Sequence, residues 1–168
     1  KLDFYRKVFE TFSAQGITGL QTNDSTAAGN ITDAWEVYEA LIDERMNPKD
    51  DGSREIEPVP PPLPCRVFLT IDWEMISGPP PHSAYPDFLR QERCKIFMDG
   101  GLGASTAALL EPYWDDSENY GIMSTDEVQL EEALHRAHAN GYRIEAHAIG
   151  DAAFEMVLRK LENLTSIS

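Results

Sequence analysis

Cys94-Lys95-Ile96-Phe97-Met98-Asp99-Gly100 and Ile144-Glu145-Ala146-His147-Ala148-Ile149-Gly150-Asp151 are the two stretches that decide the fold. Each reads as a short, mostly apolar strand running into a Gly-containing turn. Each also carries a residue out of keeping with an apolar strand, Lys95 in the first and His147 in the second. In an α/β barrel, chemistry sits at the C-terminal strand ends and in the loops after them. Lys95 and His147 stand where such a barrel would present metal ligands.

Working outward, a helix-strand rhythm fills the chain. Tyr5, Val8, Phe9 and Phe12 recur at i, i+3, i+4 and i+7, the stripe of an amphipathic helix that Gly16 ends. Ile17 to Thr22 reads as a short strand. Trp35, Tyr38, Leu41 and Ile42 mark a second helix, stopped by Asn47-Pro48. Residues 47–64 are acidic and proline-rich, which predicts a flexible exposed loop. Cys65 to Asp72 is the next strand, with Val67, Leu69 and Ile71 on one face. A second proline-rich loop, Ser77 to Pro86, leads to a strand over Cys94 to Met98.

Asp99 to Met123 is a long Gly-rich, aromatic connection, a length usual for functional loops. Ser124 to Glu127 reads as a capping box opening a helix with Leu130, Ala133, Leu134 and Ala137 as its buried stripe. Asn140-Gly141 closes that helix. Tyr142 to His147 is the fourth strand, and the last helix has Phe154, Val157, Leu158 and Leu161 as its expected buried face. Strands alternating with helices imply parallel pairing. The expected fold is therefore α/β, a partial (β/α) TIM-type barrel of about four parallel strands with flanking helices. Residues 1–168 are expected to form one such domain.

Composition narrows the function. With 29 acidic against 14 basic residues, the formal net charge is -15. That argues against nucleic acid or an anionic membrane as partner. No apolar run reaches the ~18 residues of a membrane span. Cys65 and Cys94 form no Cys-x-x-Cys pair and fit a reducing, cytoplasmic setting better than a disulfide framework.

The chemistry-bearing residues have two readings each. His147, at a strand end before a turn, suits a metal ion as neutral imidazole, or serves as a hydrogen-bonded structural histidine. A lysine inside an apolar strand, such as Lys95, either snorkels to solvent or pairs with a carboxylate, or gives a neutral amine. A neutral amine can take up carbon dioxide as a carbamate and bridge two metals. Strand alternation puts Glu145 on the face of His147, and Lys95 on that of Phe97 and Asp99. Asp99 ligates, orients a ligand or caps the following turn, and Glu145 is a further carboxylate that could support the ligands from behind. Asp151 caps the last helix or steadies His147. His135 and His138, three apart on a helix, flank its buried stripe and read as surface residues, and His82 as incidental. No catalytic acid or base stands out.

The run from Lys95 to Leu109, then Glu111 to Asp115, Gly121, and Glu145 to Asp151 resembles the amidohydrolase superfamily. It looks most like the branch of amidohydrolase family 3 that contains N-substituted formamide deformylase. The resemblance implies a distorted α/β barrel and hydrolysis of a carbon-nitrogen bond in a small amide or formamide. It implies one or two divalent metals, zinc above all. Lys95 matches the lysine that becomes a carboxylated bridge, and His147 the metal ligand of the fifth barrel strand. The family's His-x-His of strand one, histidine of strand six and aspartate of strand eight have no counterpart between Lys1 and Ser168. Ser105 stands where the family often has arginine.

Two expectations compete. One is a metal-dependent amidohydrolase whose site is completed by another segment or chain. The other is a non-catalytic α/β barrel fragment or interaction module that binds no metal. Either would leave strand edges that self-association, loops or a complementing segment must cover.

Overall fold

The computed structural model describes residues 2–23, 31–47 and 65–165. Their elements alternate in the expected order. Helix α1 (Leu2–Ala14) precedes strand β1 (Gly19–Thr22), helix α2 (Ile31–Met46) and strand β2 (Arg66–Asp72). A 3-10 turn, Trp73–Met75, and strand β3 (Leu89–Phe97) follow. A second 3-10 turn, Leu102–Ala104, helix α3 (Glu127–Asn140), strand β4 (Arg143–His147) and helix α4 (Asp151–Thr165) complete the series. The strands form one sheet in the order β1-β2-β3-β4. Both β1 with β2 and β3 with β4 pair in parallel. Parallel strands linked by helices make this a partial (β/α) TIM-type barrel fold. Apart from Asn47, the acidic, proline-rich 47–64 stretch lies outside the described residues.

The chain divides into two compact units, Lys1–Ile71 with Pro80–Glu92, and Asp72–Pro79 with Arg93–Ser168. The first has its own core of Phe9, Tyr38, Leu41, Ile42, Cys65, Val67, Leu69 and Leu89. The expected stripes of α1 and α2 supply it, and Tyr38 meets the rings of Tyr5 and Phe9 edge-on. Such edge-to-face pairs favour the electropositive rim of one ring over the face of another.

The second unit is built on Ile96, Met98, Ala108, Leu130, Ala133, Leu134, Ala153 and Val157. The predicted stripe of α3 is buried as expected. Its cap is two residues later than predicted: Asp126 accepts from the N–H groups of Val128 and Gln129, and Gln129 accepts from the Asp126 N–H. Ser124 and Thr125 are taken by the end of β3, where the Ser124 N–H donates to Met98 and the Thr125 hydroxyl to Phe97.

Two further expectations are corrected. Strand β3 starts at Leu89, not Cys94. Its polar first half hid it, and its alternation slips: Leu89 and Gln91 are buried, then Cys94 and Ile96. Helix α4 buries Ala153 and Val157, while Phe154, Leu158 and Leu161 are exposed. Backbone approach decides this, because the Ala152 N–H donates to the Ala108 carbonyl at 3.2 Å. Only small residues fit that contact, so the bulky stripe turns outward.

Both cysteines are free and buried. Burial, then the Glu145 charge, pushes the Cys94 thiol up to about 11, so it stays protonated. Among the described residues no helix is long and apolar enough to cross a membrane.

Truncating the α3 stripe with Leu134→Ala should cost about 2–5 kcal/mol in urea unfolding, whereas Phe154→Ala should cost under about 1 kcal/mol. Equal losses would restore the predicted face of α4. A second expectation concerns Lys160, which bridges from α4 to Glu131 on α3 at 2.8 Å. The hydrogen bond from Lys160 holds the Glu131 carboxyl below its ordinary value, and the same bond raises Lys160. The Glu131 contribution is present above the ordinary carboxylate range and disappears as pH falls through its lowered value. The Lys160 contribution is present below the ordinary amine range and disappears as pH rises through its raised value. Glu131→Gln should therefore lower the melting temperature near neutrality and make no difference in acid. A gap that persisted in acid would assign the effect to something other than this pair.

Candidate metal centre

The register of β3 on β4 sets Arg93 opposite Arg143, Lys95 opposite Glu145 and Phe97 opposite His147. Side chains alternate along a strand, so these six share one face. The opposite face, with Cys94, Ile96 and Met98, is buried in the core. The sheet thus gathers its polar groups on one side.

His147 is fixed from behind. Its Nε2 lies 2.9 Å from the Gly100 carbonyl oxygen. A carbonyl only accepts, so Nε2 carries the hydrogen, and in the neutral imidazole Nδ1 keeps its lone pair. A metal-ligating histidine has this arrangement, one nitrogen anchored on an acceptor and the other open to the ion. The Phe97 ring centroid is 5.5 Å from that of His147. The Lys95 Nζ sits 5.2 Å from the same Phe97 centroid, in cation-π range.

The three carboxylates expected to support these ligands have other partners. Glu145 accepts from Arg93 Nη1 at 2.6 Å. Asp151, first residue of α4, accepts from the N–H groups of Leu110 and Ala152. Asp99 is buried and takes three backbone N–H groups: Ile149 at 3.0 Å on one oxygen, Ala108 at 2.9 Å and Gly150 at 2.7 Å on the other. The turn role of Asp99 is what the geometry realises. His147 Nε2 is 3.8 Å from Asp99, outside hydrogen-bond range.

The 99–123 connection is an ordered loop. The Leu109 N–H donates to Tyr120, that of Tyr113 to Asn119 and that of Ile122 to Thr106, while the Tyr113 hydroxyl reaches the Ala107 carbonyl. Two glycines are obligatory. Gly121 has φ +80° and a Cβ there would stand 1.9 Å from the Ala107 oxygen. At Gly150 a Cβ would meet the Ala108 oxygen at 1.8 Å. The loop backbone touches the β4–α4 turn too closely for any side chain.

His135 and His138 are exposed on α3, with His135 Nε2 3.9 Å from Glu131, and His82 is exposed in its loop. No set of three or more His, Cys, Asp or Glu among the described residues is placed to hold a metal. The residues that fit a cation are His147, through Nδ1, and Lys95 if its amine becomes an anion. Two further residues were passed over in the sequence. Asp72 ends β2, and burial pushes its carboxyl above the ordinary range. Its signal was a carboxylate closing an apolar strand. Arg93 is the other, and its signal was a second cation two residues before Lys95.

A family model described as the amidohydrolase family matches residues 1–167. The chain belongs to the amidohydrolase family. Over 155 residues it is 42% identical to YtcJ of Bacillus subtilis (strain 168), whose name assigns it provisionally to the amidohydrolases. That match covers 88% of this amidohydrolase-family chain and 25% of YtcJ. Protein LONG AFTER FAR-RED 3 of Arabidopsis thaliana is 36% identical over 72 residues, 43% of this chain and 12% of that protein. The chain therefore spans a quarter or less of these relatives. An uncharacterized metal-dependent hydrolase from Pyrococcus furiosus superposes with a TM-score of 0.53 at 31% identity, over 58% of this chain and 22% of the other. One from Pyrococcus horikoshii OT3 gives 0.55 at 29%, over 61% and 22%.

Asp99→Asn keeps the shape but removes the charge and turns one acceptor into a donor. It should cost about 2–4 kcal/mol. Amide hydrogen exchange at Ala108, Ile149 and Gly150 should accelerate with it. Protection unchanged at those three amides would mean that the carboxylate does not hold the loop.

Proposed function

We infer that this chain supplies part of the metal centre of a hydrolase acting on carbon-nitrogen bonds of small amide or formamide-type molecules. The observation that carries the reading is His147 at the end of β4, with Nε2 held on the Gly100 carbonyl, which in the neutral ring leaves Nδ1 as the acceptor. The hydrolase reading has support from the similarity to the two Pyrococcus proteins, each described as an uncharacterized metal-dependent hydrolase. His147 would hold a divalent ion, zinc in the first instance, through Nδ1. Lys95 would join it as a carbamate: the Nζ lone pair of the neutral amine bonds to the carbon of carbon dioxide, one proton leaves to solvent, and a single negative charge is shared by two oxygens. The bound ion supplies Lewis acidity toward a carbonyl and toward water. Asp99, Asp151 and Gly150 hold the loop and turn that aim these groups.

Zinc usually takes four protein or water ligands, so the remaining ones come from another segment or chain. Residues 1–168 are read as one partial barrel domain, a reading supported by the family model's match to residues 1–167. The buried thiols support a reducing, cytoplasmic location. A second reading, a fold fragment that binds no metal, has support in the absence of a three-residue ligand cluster among the described residues.

Metal content, by plasma mass spectrometry on the protein carrying its complementing segment or chain and purified without chelators, separates the two. The expected result is bound zinc that His147→Ala and Lys95→Ala each weaken about tenfold to a hundredfold or abolish. A content near zero, or one indifferent to both substitutions, would sink the metal reading.

A further inference from the structure

The register that places Lys95 opposite Glu145 offers an obvious ion pair. Opposite charges on neighbouring strands attract at this spacing. Glu145 nevertheless pairs with Arg93, whose Nη1 lies 2.6 Å from its Oε1. The competition favours arginine, whose planar, weakly hydrated guanidinium suits a half-buried carboxylate better than a compact ammonium does. Glu145 is drawn toward the N-terminal end of β3. The Lys95 Nζ goes the other way, to the Phe97 ring two residues on, beside His147.

We propose that Arg93 is a positioning residue for Lys95. By holding the Glu145 carboxylate it keeps the amine out of a cross-strand ion pair and turned along Phe97 toward the His147 end of the site. Its functional consequence rests on Lys95 being a metal-side ligand; its geometric content does not.

Carbodiimide cross-linking reads the geometry directly, because the reagent joins an amine to a carboxylate only where the two are in contact. The Lys160–Glu131 pair, at 2.8 Å, is an internal positive control. Glycinamide coupling to Glu145 in each variant confirms that the reagent reaches it. In the unaltered chain the control link should form and a Lys95–Glu145 link should be scarce. In Arg93→Met the Lys95–Glu145 link should become as abundant as the control, and Arg93→Lys should suppress it again. If Arg93→Met does not fold, Arg93→Gln carries the same expectation. A strong Lys95–Glu145 link in the unaltered chain, or none gained on losing Arg93, overturns the proposal.

Metal content is the second arm. Arg93→Met should weaken zinc binding about tenfold to a hundredfold, and adding Glu145→Gln should restore it. A gained cross-link with undiminished zinc overturns the functional half. Absence of zinc from the unaltered chain instead defeats the metal reading, while cross-linking still decides the placement of Lys95.

Discussion

The Asp99 carboxylate is shut off from solvent, and it is tolerated there because three backbone N–H groups converge on its two oxygens. An ionised group taken from water costs several kcal/mol unless such donors replace its hydration. Here the replacement comes from two distant stretches, Ala108 in the long loop and Ile149-Gly150 after β4. One side chain therefore ties the end of β3, its loop and the end of β4 into one piece. His147 depends on it at one remove, since the carbonyl that sets its tautomer belongs to Gly100, the next residue. Gly150 must lack a side chain for the loop to come close enough to Asp99. The loop is long because it must return to that carboxylate.

Alternation along β3 and β4 divides stability from chemistry. Cys94, Ile96 and Met98 face the core and are sealed from solvent. Arg93, Lys95 and Phe97 face the other way, with Arg143, Glu145 and His147 beside them. A change on the first face is a packing change. A change on the second alters partners. Cys94 shows how close the faces lie, because Glu145 across the sheet still raises its thiol.

The parts legible in the sequence are those governed by local periodicity. Tyr5, Phe9 and Phe12, or Leu130, Ala133 and Leu134, declare a helix and its buried face within one segment, and the structure agrees. Helix α4 shows where that logic stops. Phe154, Leu158 and Leu161 make the stronger stripe, yet Ala153 lies inward because a loop backbone over forty residues earlier must pack there. Capping failed for a similar reason: Ser124 and Thr125 are good cap residues, but β3 claims them. The strand ends bearing Lys95 and His147 were readable as positions. Their partners were not, since whether Glu145 answers to Lys95 or Arg93 depends on a register between strands fifty residues apart.

The charge of that face gives the choice of partner a further meaning. The chain as a whole is strongly acidic, at -15. The β3–β4 face runs against it, with Arg93, Lys95 and Arg143 against the single carboxylate of Glu145. Three cations around one anion repel, and half-burial reduces the screening that water gives at an open surface. Pairing Glu145 with Lys95 would leave two arginines unbalanced beside each other. Pairing it with Arg93 isolates the lysine, the one cation of the three whose charge chemistry can remove. On this argument the pairing leaves Lys95, of the three cations, turned along Phe97 rather than held by the Glu145 carboxylate.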